Sequence, residues 1–455
     1  MKVHALPLIF AAVLSASAAV PTLENVTLDR SGRRVEIAYR VVNGPAIVTM
    51  QLLTNGVPLE ATVAADARGD VNRIVDNLVQ GRIVWRAADP LVGLPPEIEL
   101  RAELRAWPVA APPDYVVFNL DSNNPKADTR FYVDASCIPG GIGSDMYKTD
   151  YLVMRKIPAS GCEFTVGLPS STSFKDASNN WVPVPDGRLA PYTAAFTRDY
   201  YMGVYEITQG QTENRWLGQT QAPGSRGSDG WKMKPLSKLF YNDLRGGDLG
   251  GDWPTNRPGH TAHDVDDGSI MAMFRARTGV DSMDLPTEAQ WEFAARGGVK
   301  ANFTDGVNDY SAYKTNTAVS NQVMRLGWSK LDGIAMHQVV GLKAPNAYGL
   351  YDTVGNVIEF CLDWFTKNGF APNYHKGGMI IDPAGPLFSD LMSSDYIDKG
   401  GTRVLRGGSY NESVSGLTPV SKSSNYLKIM SGVVAFDFIG ARVCCDADMT
   451  GLASR

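Results

Sequence analysis

The sequence predicts an α+β protein in two parts. A small all-β sandwich covers residues 19–107, and after a linker at 108–116 one large, irregular α+β domain covers 117–448. Three observations carry this. The first hundred residues alternate apolar and polar side chains with a period of two and show no helical period. The stretch "PVAAPPDY" (108–115) is proline-rich and reads as a stiff spacer. Beyond it Gly, Asn, Asp and Trp become frequent, apolar runs shorten, and only a few helices can be placed.

Taken in order, residues 1–18 read as a secretory signal peptide: one Lys precedes an apolar run from Leu6 to Leu14, and Ala16-Ser17-Ala18 supplies an A-x-A cleavage site. No later stretch approaches 18 uninterrupted apolar residues, so the mature chain is expected to be soluble and secreted, or to lie in the periplasm or cell envelope. In "RVEIAYRVV" Val35, Ile37, Tyr39 and Val41 share one face of a strand, and Ile98, Leu100, Ala102 and Leu104 do the same in "EIELRAELRAW". Asn55-Gly56, between Ala46–Leu53 and "VPLEATV", signals a tight hairpin. Short strands joined by such turns suit an immunoglobulin-like sandwich.

Three helix starts are legible in the second part. Thr287 with Gln290 three residues on makes a capping box, Trp291, Ala294 and Ala295 share a face, and Gly297-Gly298 ends the helix. Thr208 with Gln211 repeats the box, and a third helix is expected from Ser269 to Arg277, stopping at Gly279.

With 43 Lys+Arg against 48 Asp+Glu and no basic run, nucleic-acid binding is a poor fit. Five cysteines in a chain of 455 residues do not make a disulfide framework, and the odd count leaves at least one thiol unpaired within the chain. The histidines His260, His263, His337 and His375 are isolated; the pair in "GHTAHD" fits neither a helical face nor a strand. No P-loop, dinucleotide fingerprint or Ser-His-Asp arrangement is legible.

Four stretches in order, "YYMGVYEITQGQ" (200–211), "LPTEAQWEFAARGG" (285–298), "PNAYGLYDTVGNVIEFCLDW" (345–364) and "RVLRGGSY…IGARVCC" (403–445), resemble the formylglycine-generating enzyme, or sulfatase-modifying factor, family. "YLVMRKIPASGCEFTVG" (151–167) resembles its opening strands, so the resemblance spans about 145–446. It implies a decorated relative of the C-type lectin fold. It also implies an oxidase that converts a substrate cysteine to formylglycine with Cu(I), a soft ion held by two thiolates.

Carried onto this chain, the two thiolate positions fall three and eight residues after Ser409, on Glu412 and Leu417, and neither side chain is a Cu(I) ligand. Cys444 and Cys445 are expected to point to opposite faces of one strand, unable to line one cavity together, and Cys361 to be buried or disulfide-bonded. The polar segment after the turn makes Arg406, Ser409, Tyr410, Asn411 and Glu412 pocket candidates, although Arg406-Gly407-Gly408 also suits a structural turn. The resemblance further implies calcium, with ligands from Asp352, Glu359 and the carbonyls of Gly355 and Val357. A second site would use Asp332, the carbonyl of Ile334 and Asn316, near Asn346.

The expected function is a non-catalytic binding module for a protein, peptide or glycan, with calcium and without copper. The alternatives are a formylglycine-generating oxidase, another oxidoreductase on the same scaffold, or a variable binding surface of lectin type.

Overall fold

The computed structural model describes residues 19–59, 67–77, 80–86, 99–167, 173–175, 181–183, 192–213, 215, 228–247, 253–254, 264–298, 324–366, 379–391, 401–412, 417, 422–426 and 436–455. Two antiparallel sheets form the N-terminal part. One contains β1 (Thr22–Ser31), β2 (Arg34–Val42) and β5 (Gln80–Arg86); the other contains β3 (Ala46–Thr54), β4 (Arg73–Val75) and β6 (Leu100–Pro108). Val35, Ile37, Tyr39 and Val41 of β2 are all buried, with Ala46, Val48 and Leu52 of β3 in the same apolar cluster, as the period-two reading requires. Asn55 (φ 49°) and Gly56 (φ 77°) both adopt left-handed backbone, the conformation of a primed hairpin turn, and β3 folds back onto Val57–Pro58.

The 108–116 stretch does not stand free as a spacer. Its prolines lack N–H groups, but its carbonyls accept: Pro112 O from Lys156 Nζ at 2.6 Å, Asp114 O from Lys156 N at 2.7 Å, and Val109 O from Met449 N at 2.9 Å. Ile47 and Ile74 of the sandwich enter the same core cluster as Val116, Phe118 and Phe131 beyond it. The two parts are thus joined by shared apolar burial as well as by the chain.

Two larger sheets frame the second part, beside smaller ones of three and two strands. The first runs in the order β8 (Arg130–Tyr132), β7 (Tyr115–Asn119), β9 (Tyr151–Ile157), β10 (Tyr200–Gly203), β15 (Cys444–Asp446). The second runs β13 (Lys422–Tyr426), β12 (Thr402–Arg406), β11 (Ile358–Trp364), β14 (Ile439–Ala441). Every residue of β11 and β12 is buried, so both strands lie inside the domain.

All three helix starts fall where the sequence put them: α1 (Gln209–Thr212) behind the Thr208 box, α2 (Ile270–Thr278) capped by Ser269 and ended by left-handed Gly279, and α3 (Glu288–Ala295) behind the Thr287 box. Asn346, expected near a metal site, instead ends α3: its amide donates to Ala294 O at 2.8 Å and Ala295 O at 3.1 Å. Among the described residues no helix is long and apolar enough to cross a membrane.

Candidate functional site

The site grows out of β12. Its last residue, Arg406, is buried between two carboxylates that α3 presents one turn apart: Glu288, and Glu292 at 3.0 Å. Arg406 therefore belongs to a buried ion-pair lattice and not to a pocket wall, because burying its charge without those partners would cost several kcal/mol. Gly407 (φ 93°) and Gly408 (φ 71°) follow in left-handed backbone, which glycine adopts without strain. A Cβ on Gly407 would also lie 3.0 Å from the Trp291 ring, so the turn is closed to larger residues.

Beyond the glycines the chain is pinned by backbone bonds. Gly407 O accepts from Gly355 N at 2.9 Å, Tyr410 N donates to Asn356 O at 2.9 Å, and Glu412 N donates to Ser409 O at 3.1 Å. Glu412 O accepts from Lys330 N at 3.0 Å. Ser409 is buried with its hydroxyl unpartnered among the described residues, and the Tyr410 and His337 rings meet in a T-shaped contact with centroids 6.4 Å apart. Asn411 is exposed and Glu412 half-buried. Burial pushes the Glu412 carboxyl up to about 7 from an ordinary 4.5.

The donors at the two thiolate positions are wrong for copper. Leu417 is 0% exposed, a side chain spent on packing, and Glu412 offers oxygen. All five cysteines are free. Cys361 is sealed among Trp291, Ala295, Phe365 and Val404, where burial holds its thiol far above the reactive range. Cys444 and Cys445 do face opposite ways, into two separate apolar clusters. The expectation that they could not border one cavity is corrected, however: both contribute to a cavity of about 230 Å3 with Tyr200, Trp253 and Asp284. β15 is the edge strand of its sheet, and a cavity wrapping that edge meets residues from both faces.

The calcium candidates divide. Asp352 is buried with left-handed backbone (φ 54°); Oδ2 accepts from Gly341 N at 2.7 Å, and Oδ1 has no partner among the described residues. Gly355 (φ 80°) and Asn356 (φ 57°) continue the same tight loop, which carries the Gly355 and Val357 carbonyls. Glu359 is differently employed: its oxygens take Arg442 Nε at 3.1 Å and Nη2 at 2.8 Å, and Trp291 Nε1 at 2.6 Å. In that arrangement Glu359 does not fit a metal ion, whereas the open acceptor on Asp352 does.

Sequence reading missed Glu206, which accepts from Val357 N at 3.0 Å and Asn356 Nδ2 at 2.7 Å and whose carboxyl is held well above its ordinary range by burial, then by the charges of Asp352 and Glu359. Its one signal was a Glu inside an apolar stretch, "VYEIT". At the second site, Asp332 is spent on Lys343 Nζ at 2.7 Å and on the Ser329 cap, Ile334 is half-buried, and Asn316 lies outside the described residues. Among the described residues no three His, Cys, Asp or Glu side chains converge as a ready metal site.

Glu412 gives a pH test. A carboxyl raised in the folded state contributes stability that is complete below its ordinary value of 4.5 and lost as pH rises through about 7. Chemical denaturation from pH 5 to pH 8 should show wild type losing on the order of 1–3 kcal/mol relative to Glu412→Gln. Parallel curves for the two proteins would mean that the carboxyl is solvated.

Residues 160–444 match the sulfatase-modifying factor enzyme 1-like domain. The formylglycine-generating enzyme of Streptomyces coelicolor is 31% identical over 204 residues, covering 43% of this chain and 56% of that enzyme. The inactive C-alpha-formylglycine-generating enzyme 2 of Bos taurus is 40% identical over 101 residues, covering 22% of this chain and 33% of that protein. The chain thus spans little more than half of the first relative and a third of the second. Among solved structures, Treponema denticola variable protein 1 aligns at 21% identity with a TM-score of 0.41, covering 65% of this chain and 95% of that one. On the domain match, this chain belongs to the sulfatase-modifying factor enzyme 1-like family.

Proposed function

We propose that this chain is a binding protein on the formylglycine-generating scaffold and not a copper-dependent oxidase. The observation that carries the reading is the pair Glu412 and Leu417: the turn that would present two thiolates is kept, and its donors are a carboxylate and a packed hydrocarbon. What surrounds the turn supports recognition. Leu331 and Phe436 are exposed apolar side chains, the first adjoining Lys330, which bonds Glu412, and the second adjoining Asp437, which bonds the Tyr410 phenol. Apolar side chains exposed beside half-buried polar ones on a fixed turn are the make-up of a recognition surface for a peptide or glycan.

A structural calcium ion belongs to the same reading. Its support is the open buried acceptor Asp352 Oδ1 and the gathering of three buried carboxyl groups, Glu206, Asp352 and Glu359, near the cations of Arg442 and Lys148. Asp352 would hold the ion with the Gly355 and Val357 carbonyls, and the ion would supply charge balance and rigidity under the turn.

Two experiments test these statements. A cysteine-containing sulfatase-type peptide incubated with the purified protein, Cu(I) and oxygen should keep its mass; formylglycine formation above a protein-free control would refute the binding reading. Calcium at a hundredfold excess over its Kd should stabilise the wild type by about 2.7 kcal/mol relative to chelator, and Asp352→Asn should abolish the gain. An identical Tm with and without calcium would remove the ion from the account.

A further inference from the structure

Two buried groups beside the turn lack the partners their chemistry calls for. Lys234 is 8% exposed, where its segment crosses α1: Lys234 O accepts from Gln209 N at 3.0 Å. Its ammonium has only Ser228 Oγ at 3.2 Å and Met336 Sδ at 3.6 Å, and no carboxylate among the described residues lies within ion-pair distance. A thioether is a weak acceptor, so the ammonium has room for a better one.

One residue beyond Met336 stands His337, 2% exposed. Its Nε2 is 3.1 Å from Ser237 Oγ, and its Nδ1 has no partner among the described residues. Burial first, and then the charge of Lys234, lowers its basicity to about 4, so the ring is neutral near pH 7 with one N–H to place. When the Ser237 hydroxyl donates to Nε2, that N–H sits on Nδ1. The ring makes a T-shaped contact with Tyr410, which connects it to the recognition turn.

We propose that Lys234 and His337 form an anion subsite behind Tyr410 that receives a single carboxylate of the bound ligand. This rests on the binding reading above and names the chemistry of what binds. The subsite offers one full positive charge and one neutral N–H donor, with Ser228 Oγ beside the ammonium. A monoanion with two acceptor oxygens matches that supply. A phosphate dianion would bring a second charge with nothing to balance it, and Asp437, whose charge also reaches His337, repels any anion there and a dianion about twice as strongly as a carboxylate. On binding, the carboxylate would displace the Met336 thioether from the ammonium and select the Nδ1–H tautomer.

The test is a titration of the full chain, labelled with 15N-histidine, with N-acetylglycine, its neutral amide and inorganic phosphate as probes. The ring nitrogens of His337 report the tautomer directly. N-acetylglycine should shift them saturably toward the Nδ1–H form at millimolar concentration, with the amide silent and phosphate weaker by about tenfold. Lys234→Met, which keeps the length and removes the charge, should weaken N-acetylglycine by about tenfold or more. An equal response to the amide, no response to N-acetylglycine, or unchanged affinity in the Met variant would overturn the subsite. If that variant does not fold, the comparison of N-acetylglycine with its amide on the wild type decides alone. Absence of a carboxylate response in a protein that also forms no formylglycine sinks the subsite and leaves the binding reading; formylglycine formation sinks the reading beneath it.

Discussion

The second domain depends on arginines buried in its interior. Arg442 shows why. Its guanidinium meets Glu359 and also donates to Gly203 O, Val204 O and Tyr351 O at 2.7–2.9 Å, so one side chain ties β10, β11 and the 351–352 loop together. Arg245 meets Asp284 at 2.8 and 3.0 Å, and Arg403 donates to Trp253 O and Leu362 O at 2.6 Å while lying against the Trp364 ring. A domain of short strands and long loops leaves many carbonyls without ladder partners, and a planar fork of five N–H donors is the side chain best suited to collect them.

The same lattice fixes the site. Arg406 anchors the end of β12 to α3, and the Gly407-Gly408 turn then presents Ser409 to Glu412 from a frame that does not depend on what those residues are. Scaffold and chemistry are therefore separable here. The side chains at 412 and 417 can vary without loosening the turn, because the turn is held by Arg406, by Gly355 and Asn356, and by the Trp291 ring. Calcium beneath Asp352 and a carboxylate on Lys234 would each add a charge where the folded chain is short of one.

Features of short range were legible in the sequence. The two Thr–Gln capping boxes, the Ser269 and Gly279 caps, the Asn55-Gly56 hairpin and the alternation in β2 are each set by residues within a few positions of one another, and each is where it was expected. Long-range pairings were not legible. The family resemblance implied calcium for Glu359, but its partner Arg442 lies 83 residues away; Arg406 stood open between a structural turn and a pocket, and Glu288, which makes it structural, lies 118 residues away. His337 looked like an isolated loop histidine, since nothing local marks the approach of Ser237 and Tyr410. At 108–116 the prolines are legible in the sequence, while the packing of the segment depends on the distant Lys156 and Met449.

The central claim, that buried arginine–carboxylate pairs hold the frame that presents the turn, is tested most directly by a double-mutant cycle on Arg442 and Glu359. Arg442→Met and Glu359→Gln should each cost about 3–5 kcal/mol of unfolding free energy, since each strands a buried partner. Their combination should cost less than the sum by about 2 kcal/mol or more. Additive costs would show that the pair contributes nothing as a pair and would contradict the account.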